Sequence, residues 1–203
     1  MGGRHRMIDM MTDEANRWLR ERTTTGDAYD ATYDRRAAGG EDVHGEATFV
    51  MRFDPASVLD AGCGTGRVGR ELAQRGVEVV GVDIDAEMLD TARRKAPAVD
   101  WRLADLSTAD LGRPFDAIVM AGNVMIFLEP GTEGAVVTNM ARCVAAAGVL
   151  IAGFQLQSGR LTLGRYDEMA AAADLVLAER WATWDCAPWV SGGAYAVSVH
   201  RRA

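Results

Sequence analysis

Asp60, Gly62, Gly64 and Gly66 share one run, Val58-Leu59-Asp60-Ala61-Gly62-Cys63-Gly64-Thr65-Gly66-Arg67. A short apolar stretch ends there in a glycine-rich turn, and a helical pattern follows. Glycines permit positive φ and let backbone come close to a ligand. The helix start adds free amide N–H groups. A carboxylate beside such a loop repels a pyrophosphate and attracts a cation. Asp83 lies at the end of the next strand-like run, Glu78–Ile84. A carboxylate there can accept hydrogen bonds from both hydroxyls of a ribose.

The elements that must position these residues can be read from periodicity. Ser57–Ala61, Glu78–Ile84, Val99–Ala104, Phe115–Ala121 and Val149–Phe154 read as strands. Between them, Arg67–Arg75 puts Val68 and Leu72 on one helical face, and Gly76 stops it. Asp85 stands where an N-cap belongs, Arg93, Arg94 and Lys95 fill a last turn, and Pro97 follows. Thr132–Ala147 reads as a helix with a Val136, Val137, Met140, Val144 stripe ended by Gly148. A further helix is expected near Tyr166–Ala173, then two strands within Leu175–Asp185 and Ala194–His200. This alternation argues a parallel sheet with helices on both faces, and ligands then lie at the carboxyl ends of the strands. Residues 1–54 lack a β pattern. A helix is expected over Ile8–Glu21, capped by Thr12 or Asp13, and one or two more over Tyr29–Phe53, forming a flap or lid.

Two nucleotide readings compete for the loop. Gly64-Thr65-Gly66-Arg67-Val68-Gly69 spells GxGxxG, which suits an NAD(P)-dependent oxidoreductase. In that case the glycines follow the strand directly; here Asp60 comes first. A ligand with an adenosine, an ammonium and a sulfonium suits the carboxylate better. VLDAGCGTGRVG resembles motif I of the class I S-adenosylmethionine-dependent methyltransferases. The likeness covers Val58 to Phe154 and rests on this motif, two spaced acids and the run FDAIVMAGNVMIFL. It implies a doubly wound, Rossmann-like α/β fold. Its seven-stranded sheet is mostly parallel with an antiparallel last strand. A helical extension over residues 1–54 precedes a cofactor-binding core over 55–203.

The resemblance also implies roles. Asp60 orients the methionine ammonium, and Ala61, Gly62, Gly64 and Gly66 let the cofactor approach. Asp83 takes the ribose hydroxyls, Ile84 and Met88 pack on adenine, and Asp105 with Leu106 stands near the adenine amino group. Ala121, Gly122 and Asn123 line the methyl-transfer mouth. The implied activity is direct displacement of a methyl group from S-adenosylmethionine onto a small molecule, leaving S-adenosylhomocysteine. A cofactor-binding protein without catalysis remains an alternative.

Such a displacement needs alignment and desolvation, and a base only if the acceptor is protonated. Candidate bases are His44, Tyr33 and Glu46; His5 and His200 lie far from the motif. After the fourth strand stands Gly122-Asn123-Val124-Met125, not the (Asp/Asn)-Pro-Pro-(Tyr/Phe) of many amino-group enzymes on DNA, RNA and glutamine. No metal site is expected. Trp181, Trp184 and Trp189 could wall a substrate pocket or simply pack.

Composition narrows the rest. The 203 residues fit one domain with an extension, and a formal net charge of −7 opposes a nucleic-acid partner. Charged residues are 25% and apolar ones 48%, too apolar for disorder. Three scattered cysteines make no disulfide framework or zinc pair, which suits a reducing, cytoplasmic compartment. The longest apolar run, Cys143–Phe154, is too short to span a bilayer, so no membrane partner is expected.

Overall fold

The computed structural model describes residues 16–24 and 26–203. Among the described residues three helices precede the sheet: α1 (Arg17–Glu21), α2 (Gly26–Ala38) and α3 (Gly45–Met51). The core follows as β1 (Ser57–Ala61), α4 (Arg67–Gln74), β2 (Glu78–Asp83), α5 (Ala86–Lys95), β3 (Asp100–Leu103) and β4 (Phe115–Met120). It ends with α6 (Val124–Phe127), α7 (Glu133–Arg142), β5 (Val144–Gln155), α8 (Leu163–Ala172), β6 (Leu175–Trp181) and β7 (Tyr195–Arg202). The strands form one sheet in the order β3-β2-β1-β4-β5-β7-β6. Pairings from β3 through β5 are parallel, and β7 runs antiparallel to both neighbours. The strand order reverses between β1 and β4, and such a reversal opens a crevice at the carboxyl ends.

The central strands are apolar on both faces because helices cover both. On one face Leu59, Ile118, Leu150 and Phe154 meet Val136, Val137 and Met140 of α7 and Tyr166 of α8. On the other, Val58, Val119 and Ile151 meet Phe49 and Val50 of α3 and Val68 and Leu72 of α4. The Asp85 cap is present: its side chain accepts the Glu87 and Met88 amides at the start of α5. The expected caps Thr12 and Asp13 lie outside the described residues; α1 is instead capped by Asn16, whose Oδ1 accepts the Trp18 amide at 2.9 Å.

The helix expected over Thr132–Ala147 is a correction. It ends at Arg142, and Val144 is already in β5, paired with Phe115. Nothing local stops an alanine-rich helix there. The stop is tertiary: the Arg202 guanidinium donates to the carbonyls of Ala141, Arg142 and Val144, which a continuing helix would need. Gly148 is a strand residue. A Cβ on it would stand 2.9 Å from the Phe115 and Asp116 carbonyls, at the register shift between β4 and β5.

Trp101 packs across one end of the sheet against α5, with its Nε1 donating to the Ala96 carbonyl at 2.9 Å. Its indole fits only because three glycines flank it. A Cβ would meet the ring at 2.2 Å from Gly81, 2.5 Å from Gly66 and 3.0 Å from Gly69. Gly81→Ala should therefore lower stability by about 1–3 kcal/mol through overpacking. Urea denaturation followed by tryptophan fluorescence measures it, and an unchanged midpoint would contradict this packing.

Candidate active site

A cleft of about 360 Å³ opens beside β1, β2 and β4 at their carboxyl ends. Asp60 and Asp83 reach it from the last turns of neighbouring strands, with residue exposures of only 2% and 8%. Each is tied to the glycine loop or the helix after it. Asp60 Oδ2 accepts the Gly69 amide of α4 at 2.9 Å. Asp83 Oδ2 accepts the Gly64 amide at 2.7 Å, and its Oδ1 accepts the Asp85 amide at 2.8 Å.

Burial pushes the Asp60 carboxyl up to about 7, against the lowering pull of the Gly69 amide and Arg67. It pushes Asp83 up to about 6, against hydrogen bonds from Asp85 and Gly64. These acids gain more from a ligand that brings cationic charge or hydroxyl donors than surface acids would.

Gly64 has φ +54°, and nothing lies within 4 Å of where its Cβ would stand. That gap beside Asp83, in the wall of the cleft, is the open cradle a bound group would fill. Gly62 lines the cleft too, but its missing Cβ makes room for Val124, which would be 2.4 Å away. Ile84, Met88, Leu106 and Asp105 line one part of the cleft, and Ala121, Gly122 and Asn123 another. Asp105 caps its own loop, accepting the Ser107 amide and hydroxyl at 2.7 Å each. Asn123 is held at φ +69°, and its Oδ1 accepts the Gln155 amide at 2.8 Å.

Several expected residues sit elsewhere. Ala61 is fully buried in the core and does not line the cleft. Gly66 starts α4 at φ +74° and faces the Trp101 ring, so its role is packing and a left-handed turn. His44 precedes α3, where its Nδ1 lies 3.4 Å from Glu71 Oε2 outside the cleft lining. As a base for a reaction in the cleft it is misplaced, because the turn before α3 directs it toward α4. Trp184 packs edge-on to Phe49 and donates from Nε1 to Tyr195 at 3.0 Å.

Tyr33 does line the cleft, beside Tyr29 one helical turn earlier, with the two hydroxyls 3.4 Å apart. Burial raises the Tyr29 phenol, first of all, and the neighbouring Tyr33 raises it further, so Tyr29 stays protonated at neutral pH. The Arg67 guanidinium lies over the Tyr33 ring at 4.3 Å and grips the Glu46 carboxylate with bonds of 2.5 and 2.9 Å. Sequence reasoning had no signal for Trp18, Arg22 or Phe127, which also line the cleft. Trp18 meets Phe127 edge to face at 5.3 Å and donates from Nε1 to Asp85 at 2.9 Å.

A family model described as a methyltransferase domain matches residues 58–148. The chain superposes on the solved TehB-like S-adenosylmethionine-dependent methyltransferase of Corynebacterium glutamicum with a TM-score of 0.80 and 35% identity, covering 87% of this chain and 97% of that one. The chain belongs to the class I S-adenosylmethionine-dependent methyltransferases. Two curated relatives of this methyltransferase extend the likeness. One is a dTDP-4-amino-2,3,4,6-tetradeoxy-D-glucose N,N-dimethyltransferase of Saccharopolyspora spinosa, 30% identical over 62% of this chain and 52% of its own length. The other is a magnesium-protoporphyrin O-methyltransferase of Rhodobacter capsulatus, 36% identical over 42% of this chain and 39% of its own. The methyltransferase thus spans about half or less of these curated relatives.

The GxGxxG of this methyltransferase is not a pyrophosphate cradle: Gly66 and Gly69 are spent on Trp101, and the desolvated Asp60 stands behind the loop. The raised acids also fix a sign for stability. An acid whose folded pKa exceeds its unfolded value favours the protonated folded state. Its contribution therefore worsens as pH rises from the usual carboxylate range to the folded pKa. Relative to the parent chain, Asp60→Asn should gain a few kcal/mol between pH 4 and pH 8. Denaturant melts of the unliganded proteins at both pH values check this, and parallel curves would refute the buried, ionisable Asp60.

Proposed function

We propose that this methyltransferase transfers the methyl group of S-adenosylmethionine to a small-molecule acceptor by direct displacement. The observation that carries the reading is the pair of desolvated carboxylates, Asp60 and Asp83, flanking the open space at Gly64. When bound, the cofactor supplies a methyl group on a positively charged sulfur, with a neutral leaving group. In this reading Asp60 takes the ammonium of the methionine part, and Asp83 accepts from the two ribose hydroxyls. Ile84, Met88 and Leu106 offer an apolar slot for adenine, with Asp105 at its rim. Arg67, already paired with Glu46 beside the tyrosines, lines the cleft and offers a cation for the methionine carboxylate.

The N-terminal segment acts as the lid. Asn16, Trp18, Arg22, Tyr29 and Tyr33 form one wall of the cleft and exclude water from the transfer. No histidine or lysine lines the cleft among the described residues. An acceptor that brings its own nucleophile, such as an anionic oxygen or an unprotonated amine, suits such a site, with Tyr29 and Tyr33 able to hydrogen-bond it. A second cavity of about 310 Å³ shares Tyr33 and Arg67 with the cleft and is lined further by Asp42, Glu46, Trp184 and Asp185. Arg36 also lines it, and Glu46 is paired with Arg67, which leaves Asp42 and Asp185 beside the aromatic rings for an amine-bearing acceptor, in keeping with the relative that acts on an amino sugar.

Calorimetry with S-adenosylhomocysteine and with NAD tests the cofactor: binding of the first and not the second is expected, and the reverse overturns the reading. Asp83→Ala should weaken S-adenosylhomocysteine by about 2–3 kcal/mol through two lost hydrogen bonds. Affinity of the parent chain should rise as pH climbs through the range between about 6 and about 7, because an ammonium favours the ionised acids. Transfer of labelled methyl to a panel of amines, carboxylates and thiols then separates an enzyme from a non-catalytic binder.

A further inference from the structure

Asp30 of α2 is only 1% exposed, yet it does not line the cleft. Three elements converge on its carboxylate. Thr65 Oγ1 donates to Oδ1 at 2.9 Å, and Arg70 Nη2 of α4 donates to Oδ2 at 3.1 Å. Lys95, the single lysine of the chain, donates to Oδ2 from the last turn of α5. Burial raises the Asp30 carboxyl, but Lys95, Thr65 and Arg70 outweigh it and hold the group below the usual range. The acceptor offered to Thr65 is therefore ionised throughout the neutral range.

Thr65 is the residue that makes this arrangement functional. It is 2% exposed and lies between Gly64 and Gly66, both at positive φ, in a loop without secondary structure of its own. Asp83 grips the Gly64 amide on one side, and Asp30 grips the Thr65 hydroxyl on the other. Adjacent residues of the loop are thus pinned by two carboxylates, one from β2 and one from the N-terminal helix. Without the second pin, the stretch between the two glycines keeps only its backbone turn, the Gly66 amide on the Cys63 carbonyl at 2.8 Å, and no side chain holds its middle residue.

We propose that Asp30 is a positioning residue for cofactor binding, holding the Gly62–Gly66 loop through Thr65 in the shape that presents its amides to the ligand. The inference rests on the methyltransferase reading above. It also gives α2 a second task, since docking of that helix and order in the loop become one event.

The test combines S-adenosylhomocysteine calorimetry with thermal melts on the full chain. The variants are Asp30→Ala, Asp30→Asn, Thr65→Val, Thr65→Ser, the double Asp30→Ala/Thr65→Val, and Arg180→Met. Asp30→Ala and Thr65→Val should each weaken binding about tenfold. The double variant should be no weaker than either single, because both cut the same bond. Asp30→Asn, which still accepts from the hydroxyl, should recover part of the loss. Arg180→Met, which breaks the pair with Asp167 away from the cleft and the loop, should lower the melting temperature and keep the affinity, separating loop positioning from general stability. If the parent chain binds and Asp30→Ala binds equally, or its loss adds in full to that of Thr65→Val, this proposal alone is overturned. Should Asp30→Ala not fold, Thr65 decides: Thr65→Val should lose the affinity and Thr65→Ser, which still donates to Asp30, should keep it, and an unchanged Thr65→Val overturns the proposal. No binding by the parent chain overturns the methyltransferase reading and this proposal with it.

Discussion

Burying the carboxylates of Asp60 and Asp83 at the ends of two neighbouring parallel strands costs free energy, and much of the molecule is arranged around that cost. Water is replaced by amides: Gly69 serves Asp60, and Gly64 and Asp85 serve Asp83. Those amides come from the glycine loop, the first turns of α4 and the turn before α5. The same bonds that hold the acids therefore shape the loop and set where both helices begin. The compensation is incomplete, since both carboxyls remain well above the usual carboxylate range. A cation-bearing, hydroxyl-rich ligand completes it, so the cost of burying the two carboxylates becomes selectivity for such a ligand.

The N-terminal helices are wired into this system through carboxylates as well. Asp85, the cap of α5, also receives the Trp18 indole at 2.9 Å and the Arg22 guanidinium at 2.5 Å. Asp30 receives Thr65, Arg70 and Lys95. Arg160 reaches back to Glu21 at 2.8 Å, and Arg20 to Glu129 at 2.8 Å. The last two pairs are exposed and worth little singly. The first two are buried at the carboxylate and touch residues flanking the cleft. Docking of α1 and α2 thus leans on polar contacts local to the site, unlike the apolar packing that holds α3, α4 and α7 on the sheet.

Most of the sheet was legible because burial on both faces forces apolar runs, and the turns between them carry glycine or an acid. Ser57–Ala61 and the Asp85-capped helix needed no tertiary information. The end of α7 did, because Arg202 caps it from sixty residues away in the chain. Asp60, Gly64 and Asp83 could be recognised because their chemistry and their spacing agree. Gly66 could not be separated from them by type alone: its missing side chain serves Trp101, which comes from β3, two strands after β1. His44 had the right chemistry and the wrong direction, toward Glu71.

By itself the sequence determined the sheet, the glycine loop, and the acids at the strand ends, since each depends on residues close together in the chain. Only the tertiary structure decided what the acids share the cleft with. Trp18, Tyr29, Tyr33, Arg67 and Phe127 meet there through packing and ion pairs between segments far apart in sequence. No local pattern encodes such a meeting, because side-chain direction at a helix or loop is set by what the element docks against. For the same reason Asp30, unremarkable within its own helix, became visible only once its carboxylate was found against Thr65.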